Sequence, residues 1–155
     1  MAQVPNLDPR LAINPSSEQV EAFLAQDQSA PVTFLNLHRY YERARYPDDG
    51  DVPASERDVS GREAYHRYLG RVAAEYLPQV GARFLMVRPA ELVFVGSGDW
   101  DEVVIGRYPS RAAALHLPTL PGYEQLAIHR LAGLEAALTL VISEQDAFEL
   151  TKQAD

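Results

Sequence analysis

Apolar and polar positions along this chain repeat first at helical spacing and then in alternation, and the switches between the two patterns mark its elements. Residues 1–13 carry neither pattern and read as an irregular arm. Asn14-Pro15-Ser16-Ser17-Glu18-Gln19 has the form of a helix start, with Ser16 as N-cap and Gln19 three residues on. Val20, Phe23 and Leu24 give it a short apolar stripe, which predicts a helix to about Gln26. From Pro31 to Tyr40 the strand formers Val32, Thr33, Phe34, Leu35, Leu37 and Tyr40 take over. The polar stretch Glu42 to Ser60 is longer than an ordinary connection, which marks it as either mobile or functional. Its Asp48, Asp49 and Asp51 lack the spacing of a calcium loop and its closing bidentate glutamate, so it reads as solvated.

Ser60-Gly61-Arg62-Glu63 is a capping box, and behind it Tyr65, Tyr68, Leu69, Val72, Tyr76 and Leu77 fall on one helical stripe. Arg62, Glu63, His66, Arg67, Arg71 and Glu75 occupy the rest of the wheel, and Pro78 and Gly81 close it. A strand follows from Ala82 to about Val87. After Pro89, the run Leu92-Val93-Phe94-Val95 resumes the β pattern up to a hairpin turn at Gly96-Ser97-Gly98-Asp99. Trp100 to Tyr108 is the next strand, centred on Val103, Val104 and Ile105. Ser110 caps a short helix broken by Pro118 and Pro121. A second helical piece runs from Tyr123 to about Ala132, and Ala136 to Ile142 is the last strand. The tail from Ser143 to Asp155 reads as a short frayed helix.

An opening helix followed by β-α-β-β-α-β is the split arrangement of a ferredoxin-like α+β domain, four antiparallel strands with two helices on one face. The organisation this predicts is an N-terminal arm and short helix over 1–30, the domain over 31–143 and a tail over 144–155. In the first strand, Leu35 and Leu37 share one face and Phe34, Asn36 and His38 the other. The aliphatic set suits the helix side, which assigns Asn36 and His38 to the uncovered face. Two such faces packed together in a symmetric dimer close a barrel, and polar groups pointing into it form the usual layout of a ligand site. For Asn36 alone, a plain hydrogen bond to a neighbouring strand explains the residue equally well.

Composition narrows the chemistry. At 155 residues one domain is expected, large enough to bury roughly 70% of its unfolded surface. The formal charge of −8 repels phosphate backbones and anionic lipid, so neither nucleic acid nor membrane is an expected partner. The absence of cysteine excludes disulfides, thiolate metal sites and a cysteine nucleophile. Met1 to Asn14 has no apolar run of a signal peptide, and no stretch approaches the roughly 20 apolar residues of a membrane span, so a reducing cytoplasm is the default. His38, His66, His116 and His129 show no zinc spacing, and Gly96-Ser97-Gly98 is neither a nucleophile elbow nor a phosphate loop. No metal or cofactor is expected.

The strings Phe34-Leu35-Asn36-Leu37, Ser60-Gly61-Arg62-Glu63-Ala64-Tyr65, Gly96 with Trp100-Asp101, Arg107-Tyr108-Pro109-Ser110-Arg111 and His129-Arg130 occur in this order. Over roughly residues 31–142 the chain resembles an uncharacterised bacterial domain-of-unknown-function family of the dimeric α+β barrel superfamily. The resemblance implies the barrel and a homodimer. The wider superfamily holds cofactor-free oxygenases, haem-degrading enzymes and isomerases, so transferring any one of those reactions would be analogy of fold.

The candidate site residues divide between chemistry and structure. His129, with a side chain suited to proton transfer near neutral pH, is the candidate acid/base, and Asn36 or Arg39 would hold an oxyanion. His38, Tyr65 and Trp100 are candidate pocket residues, with Tyr108 and Arg130 beside them. Arg39 and Arg107 end strands and suit a bidentate acidic group. Each has a plainer role: a packed helix histidine, tyrosines in a core, an indole over a hairpin mouth, arginines in surface ion pairs. The expected ligand is a small aromatic or acidic organic molecule, with cofactor-free proton transfer or oxygenation as the chemistry. The alternative is a non-catalytic sensing or structural dimer whose barrel is filled by side chains. Light scattering at micromolar concentration is expected to give the mass of a dimer, and a monomer would count heavily against the barrel.

Overall fold

Serine hydroxyls start three of the helices in the computed structural model, which describes residues 12–145. Ser16 accepts from the Gln19 amide while the Gln19 side chain accepts from the Ser16 amide, a complete capping box for α1, Ser17–Leu24. Ser60 accepts from the Glu63 amide at 3.1 Å and starts α3, Gly61–Arg71. Ser110 does the same for Ala113 at 3.0 Å and starts α4, Arg111–His116. Between β1, Val32–Tyr40, and α3 lies the short helix α2, Ala54–Arg57. Arg57 holds this long connection by donating to the carbonyls of Val52, Asp48 and Gly50.

The buried stripe of α3 is Ala64, Tyr65, Tyr68 and Leu69, extended through a π-helical turn by Val72 and Tyr76. A 3-10 turn ends at Gly81, whose φ of 70° is the left-handed region glycine tolerates. The strands β2, Arg83–Pro89, and β3, Glu102–Tyr108, follow, then α4, α5, Tyr123–Gly133, and β4, Leu134–Ile142. The sheet order is β2-β3-β1-β4 with every neighbouring pair antiparallel, so the ferredoxin-like α+β fold expected from the element order is the fold observed. The core lies between sheet and helices, where Tyr40, Val104 and Leu134 meet Tyr65, Tyr68, Val72, Leu117 and Leu126.

Two features correct the expectations. The faces of β1 are reversed: His38 is buried, with its ring 4.8 Å from Tyr65 of α3, while Leu35 and Leu37 stand opposite Ile105, Leu140, Val103 and Leu138 on the uncovered face. Alternation says which residues share a face but not which face receives the helices. Here the helix layer is lined with tyrosines that accommodate an imidazole, and the aliphatic set is left outside. The second correction concerns Leu92 to Val95, which do not resume the sheet. Pro89, opposite Glu102, is the last paired residue of β2, and the chain leaves as an arm that returns at Asp101. The expected C-terminal frayed helix falls mainly on 146–155, outside the described residues.

The exit of β1 is threaded between two glycines. The Tyr41 amide donates to the Gly133 carbonyl at 2.9 Å and its carbonyl accepts from the Gly61 amide at 3.0 Å. A Cβ built on Gly61 would lie 2.8 Å from the Gly133 carbonyl oxygen, and one on Gly133 would lie 2.7 Å from the Tyr65 nitrogen. The backbones of α3 and α5 therefore touch where the strand passes, and this contact sets the N-terminal turn of α3 above the end of the sheet. Gly133→Ala is expected to cost about 2–3 kcal/mol of unfolding free energy in urea denaturation. Gly70→Ala, at an open helical position with nothing within 4 Å, should stabilise by up to about 1 kcal/mol.

Candidate functional site

The first residues of β3 meet the last residues of β1 at the end of the sheet where α3 begins. Asp101 donates its amide to the His38 carbonyl, and its carboxylate accepts from the Tyr40 amide, both at 2.7 Å. This closes the strand pair where the β1–β4 register shifts between Arg39 and Tyr40. The next side chain, Glu102, points inward and is 1% exposed.

A carboxylate removed from water costs several kcal/mol unless its oxygens are met by donors. Here they are. The Tyr40 hydroxyl donates at 2.7 Å, an Arg62 guanidinium nitrogen at 3.0 Å, and His66 Nε2 lies 2.9 and 3.0 Å from the two oxygens. Arg62 and His66 are four residues apart on α3, so one face of the helix supplies both. Arg62 also donates to the Asp101 carbonyl at 3.1 Å. Glu102 is shut from solvent while the Arg62 and His66 side chains are 39% and 44% exposed. Arg62 and His66 are thus the partners of Glu102 that reach solvent, whereas Tyr40 is buried.

His38 and Tyr65 form a second layer beneath. Their side chains sit at the 3.5 Å limit of a hydrogen bond, and His38 Nδ1, fully enclosed, has no partner among the described residues. Burial lowers the His38 pKa to about 4 against the pull of Glu102, so the imidazole is neutral at pH 7. Burial also raises the Tyr65 phenol, and raises Tyr40 together with its bond to Glu102.

Two open clefts lie on the surface, and the first shares Tyr40 with this cluster. One, of about 550 Å³, runs over Tyr40, Tyr41, Glu42, Arg43, Ala44, Arg45 and Glu135. In it the Arg45 guanidinium lies 3.9 Å above the Tyr41 ring, Arg39 pairs with Glu135 at 2.8 Å, and Arg43 pairs with Asp58. The other, of about 390 Å³, is lined by Asp51, Val52, Pro53, Glu56, Glu124, Gln125, Ile128 and His129. The Tyr46 hydroxyl is 2.7 Å from His129 Nδ1 and accepts from Arg67 at 3.3 Å, and burial, then Arg67 and Arg71, lower the His129 pKa.

A sequence profile described as a domain of unknown function, DUF1330, matches residues 54–143, more than half of the chain. The chain belongs to the DUF1330 family. No curated protein matches it. The DUF1330 chain is similar to the crystal structure of methylated RPA0582, at 30% identity over 90% of this chain and 99% of that one, with a TM-score of 0.76. A second structure of RPA0582, a protein of unknown function from Rhodopseudomonas palustris, gives 31% identity, 86% and 97% coverage and a TM-score of 0.73. A dimeric protein of unknown function with a ferredoxin-like fold from Bacteroides fragilis is 12% identical, with 76% and 98% coverage and a TM-score of 0.41. The stretch matched by the DUF1330 profile contains Arg62, Tyr65, His66, Asp101 and Glu102 but not β1.

The expected site residues are distributed unevenly over the fold. His38 and Tyr65 meet beside Glu102, and Trp100, half-buried, precedes Asp101 at the same end. Asn36 lies in mid-sheet and is occupied there, donating to the Val104 carbonyl at 3.0 Å and accepting from Thr139 at 2.8 Å. His129 shares no hydrogen bond or cleft with it. Arg130 binds the Ile13 carbonyl and Asn14, while Arg107 pairs with Glu144 at 3.1 Å at the other end of the sheet, where Tyr108 packs on Phe34. Among the described residues, no group of three or more metal-ligating side chains occurs and no helix is long and apolar enough to cross a membrane.

Glu102 goes unnamed in the sequence reading, and Arg62, His66, Tyr40 and Asp101 figure there only within helix, strand or family patterns and not as site candidates. The available signal was weak: two basic residues one helical turn apart, and a glutamate on the inward phase of a strand with Val104.

The buried neutral His38 has a measurable consequence. The unfolded chain takes up a proton here near pH 6.5, whereas the folded chain waits until about pH 4, so stability is full above the first value and falls as pH drops toward the second. The loss attributable to this group is about 3 kcal/mol. In His38→Phe that loss is absent, so the difference in unfolding free energy between wild type and variant should change by about that amount between pH 7 and pH 4. Urea denaturation at the two pH values reads it, and an unchanged difference would contradict a neutral, enclosed imidazole.

Proposed function

We propose that this DUF1330 protein is a homodimer that binds a small acidic or aromatic organic molecule at the Glu102 end of the sheet and exchanges a proton with it through His66. The observation that carries this reading is the wholly buried Glu102 carboxylate holding a half-exposed imidazole. With His66 Nε2 bonded to Glu102, Nδ1 is the nitrogen left to face a substrate, and the carboxylate holds the ring in that orientation. Arg62, on the same carboxylate and partly open to solvent, is placed to meet negative charge developing on the substrate. That pairing of base and cation suits abstraction of a proton next to a carbonyl or carboxylate. The adjoining cleft supplies recognition: Arg45 stacked on Tyr41 offers a cation and an aromatic face together. The homodimer is supported by the apolar open face, where Leu138, Leu140, Ile142 and Met86 are between 37% and 54% exposed.

A second reading has its own observation. Arg62 bonds the Asp101 carbonyl as well as Glu102, so the cluster also fastens the root of the arm, and a structural dimer would need no more than that. Binding of phenylpyruvate followed by proton NMR in deuterium oxide separates the two. The first reading expects saturable binding and deuterium incorporation at the methylene, lowered about a hundredfold in His66→Gln, whose amide nitrogen can still donate to Glu102 but cannot take up the proton. Binding without incorporation would leave a non-catalytic module, and no saturable binding of phenylpyruvate or benzoate would remove the small-acid reading.

A further inference from the structure

Between β2 and β3 the chain projects an arm that its own fold does not use. Leu92, Val93, Phe94 and Val95 are 73%, 45%, 92% and 86% exposed, four consecutive apolar residues in water. Gly96 and Gly98, with φ of 96° and 125°, turn the tip back through conformations that other residues rarely adopt. The root, in contrast, is fixed: Ala90 donates to the Asp101 carbonyl at 2.9 Å, Arg62 binds the same carbonyl, and Glu102 follows. A rigid root under an uncovered apolar tip calls for a receiving surface.

We propose that each arm crosses the two-fold interface and packs Leu92–Val95 on the open sheet face of a second copy of this chain. This rests on the homodimer proposed above and states which residues the partner contributes. Three observations select a second copy as the occupant. The arm leaves from β2 and β3, whose open-face residues Met86, Val103 and Ile105 belong to the same uncovered surface, so arm and face are continuous. Each limb of about five residues reaches roughly 15 Å at 3.3 Å per residue, more than the about 10 Å between packed sheets, so the tip at Phe94 and Val95 reaches the partner. Charge also fits. The arm is flanked by exposed Glu91 and Asp99, while Arg83 and Arg88 of β2 are exposed, with no carboxylate in ion-pair range among the described residues. In a chain of formal charge −8, whose copies repel one another at a distance, that local complementarity makes the contact specific.

One photoreactive side chain at the tip reports which surface it touches, because an excited benzophenone joins to the nearest C–H bonds. A benzophenone-bearing phenylalanine replaces Phe94, 15N-labelled and unlabelled chains are mixed through unfolding and refolding, and the product is irradiated and mapped by mass spectrometry. The expected result is a cross-link joining a labelled to an unlabelled chain, on Leu35, Leu37, Ile105, Leu138 or Leu140. Phe94→Asp, which leaves the core and the Glu102 cluster intact, should weaken dimerisation at least tenfold by analytical ultracentrifugation. A dimer that cross-links only within single chains, or not at all, overturns the arm exchange and leaves the dimer standing. A monomeric wild type overturns the dimer itself.

Discussion

Much of this molecule depends on keeping one carboxylate out of water. Glu102 stands at the start of β3 with its side chain turned inward, and its burial is tolerable only while Tyr40, Arg62 and His66 all reach it. That requirement fixes the rotation of α3, because Arg62 and His66 must face the sheet while Tyr65 and Tyr68 face the core. It also fixes the end of β1 and the base of the β2–β3 arm. Removing a single donor would strand charge in the interior, so the parts are coupled although each bond alone is modest.

What was legible in the sequence was local. Ser16, Ser60 and Ser110 announce helices because a cap is completed within three residues. The alternation in β1 and β4 is likewise a near-neighbour property, and the β-α-β-β-α-β order follows from such signals. The orientation of β1 was not legible, since both of its faces carry enough apolar surface to serve as the inner one. The Glu102 cluster was hidden for a related reason: its partners lie 62, 40 and 36 residues away, and nothing at any one position announces the others. Asn36 shows the converse. It resembles a site residue by standing alone among apolar neighbours, yet its amide is absorbed by the strands on either side.

The sheet separates two kinds of surface. Toward the helices it presents aromatic and polar side chains satisfied by tyrosines, and away from them it presents leucine, isoleucine and valine. An inner face carrying histidine and glutamate is unusual for a small domain and is possible here because α3 delivers hydroxyl, imidazole and guanidinium groups along two adjacent stripes. On the outer face the polar groups, Thr33, Arg83, Arg88 and Arg107, stand at the ends of the strands, and the apolar middle suits dry contact with another apolar surface.

The passage of Tyr41 between Gly61 and Gly133 has a kinetic side. Those glycines come from opposite halves of the chain, and the amide and carbonyl of Tyr41 join both to the end of β1. Closing so long a loop is entropically slow, and contacts of high sequence separation lower folding rates. The first turn of α3 can form early on its serine cap but cannot settle over the sheet until the last helix arrives. A chain emerging from the ribosome would therefore hold the serine cap of α3 long before Gly133, the last residue of α5, is made, and the contact that seats α3 over the sheet waits on that residue.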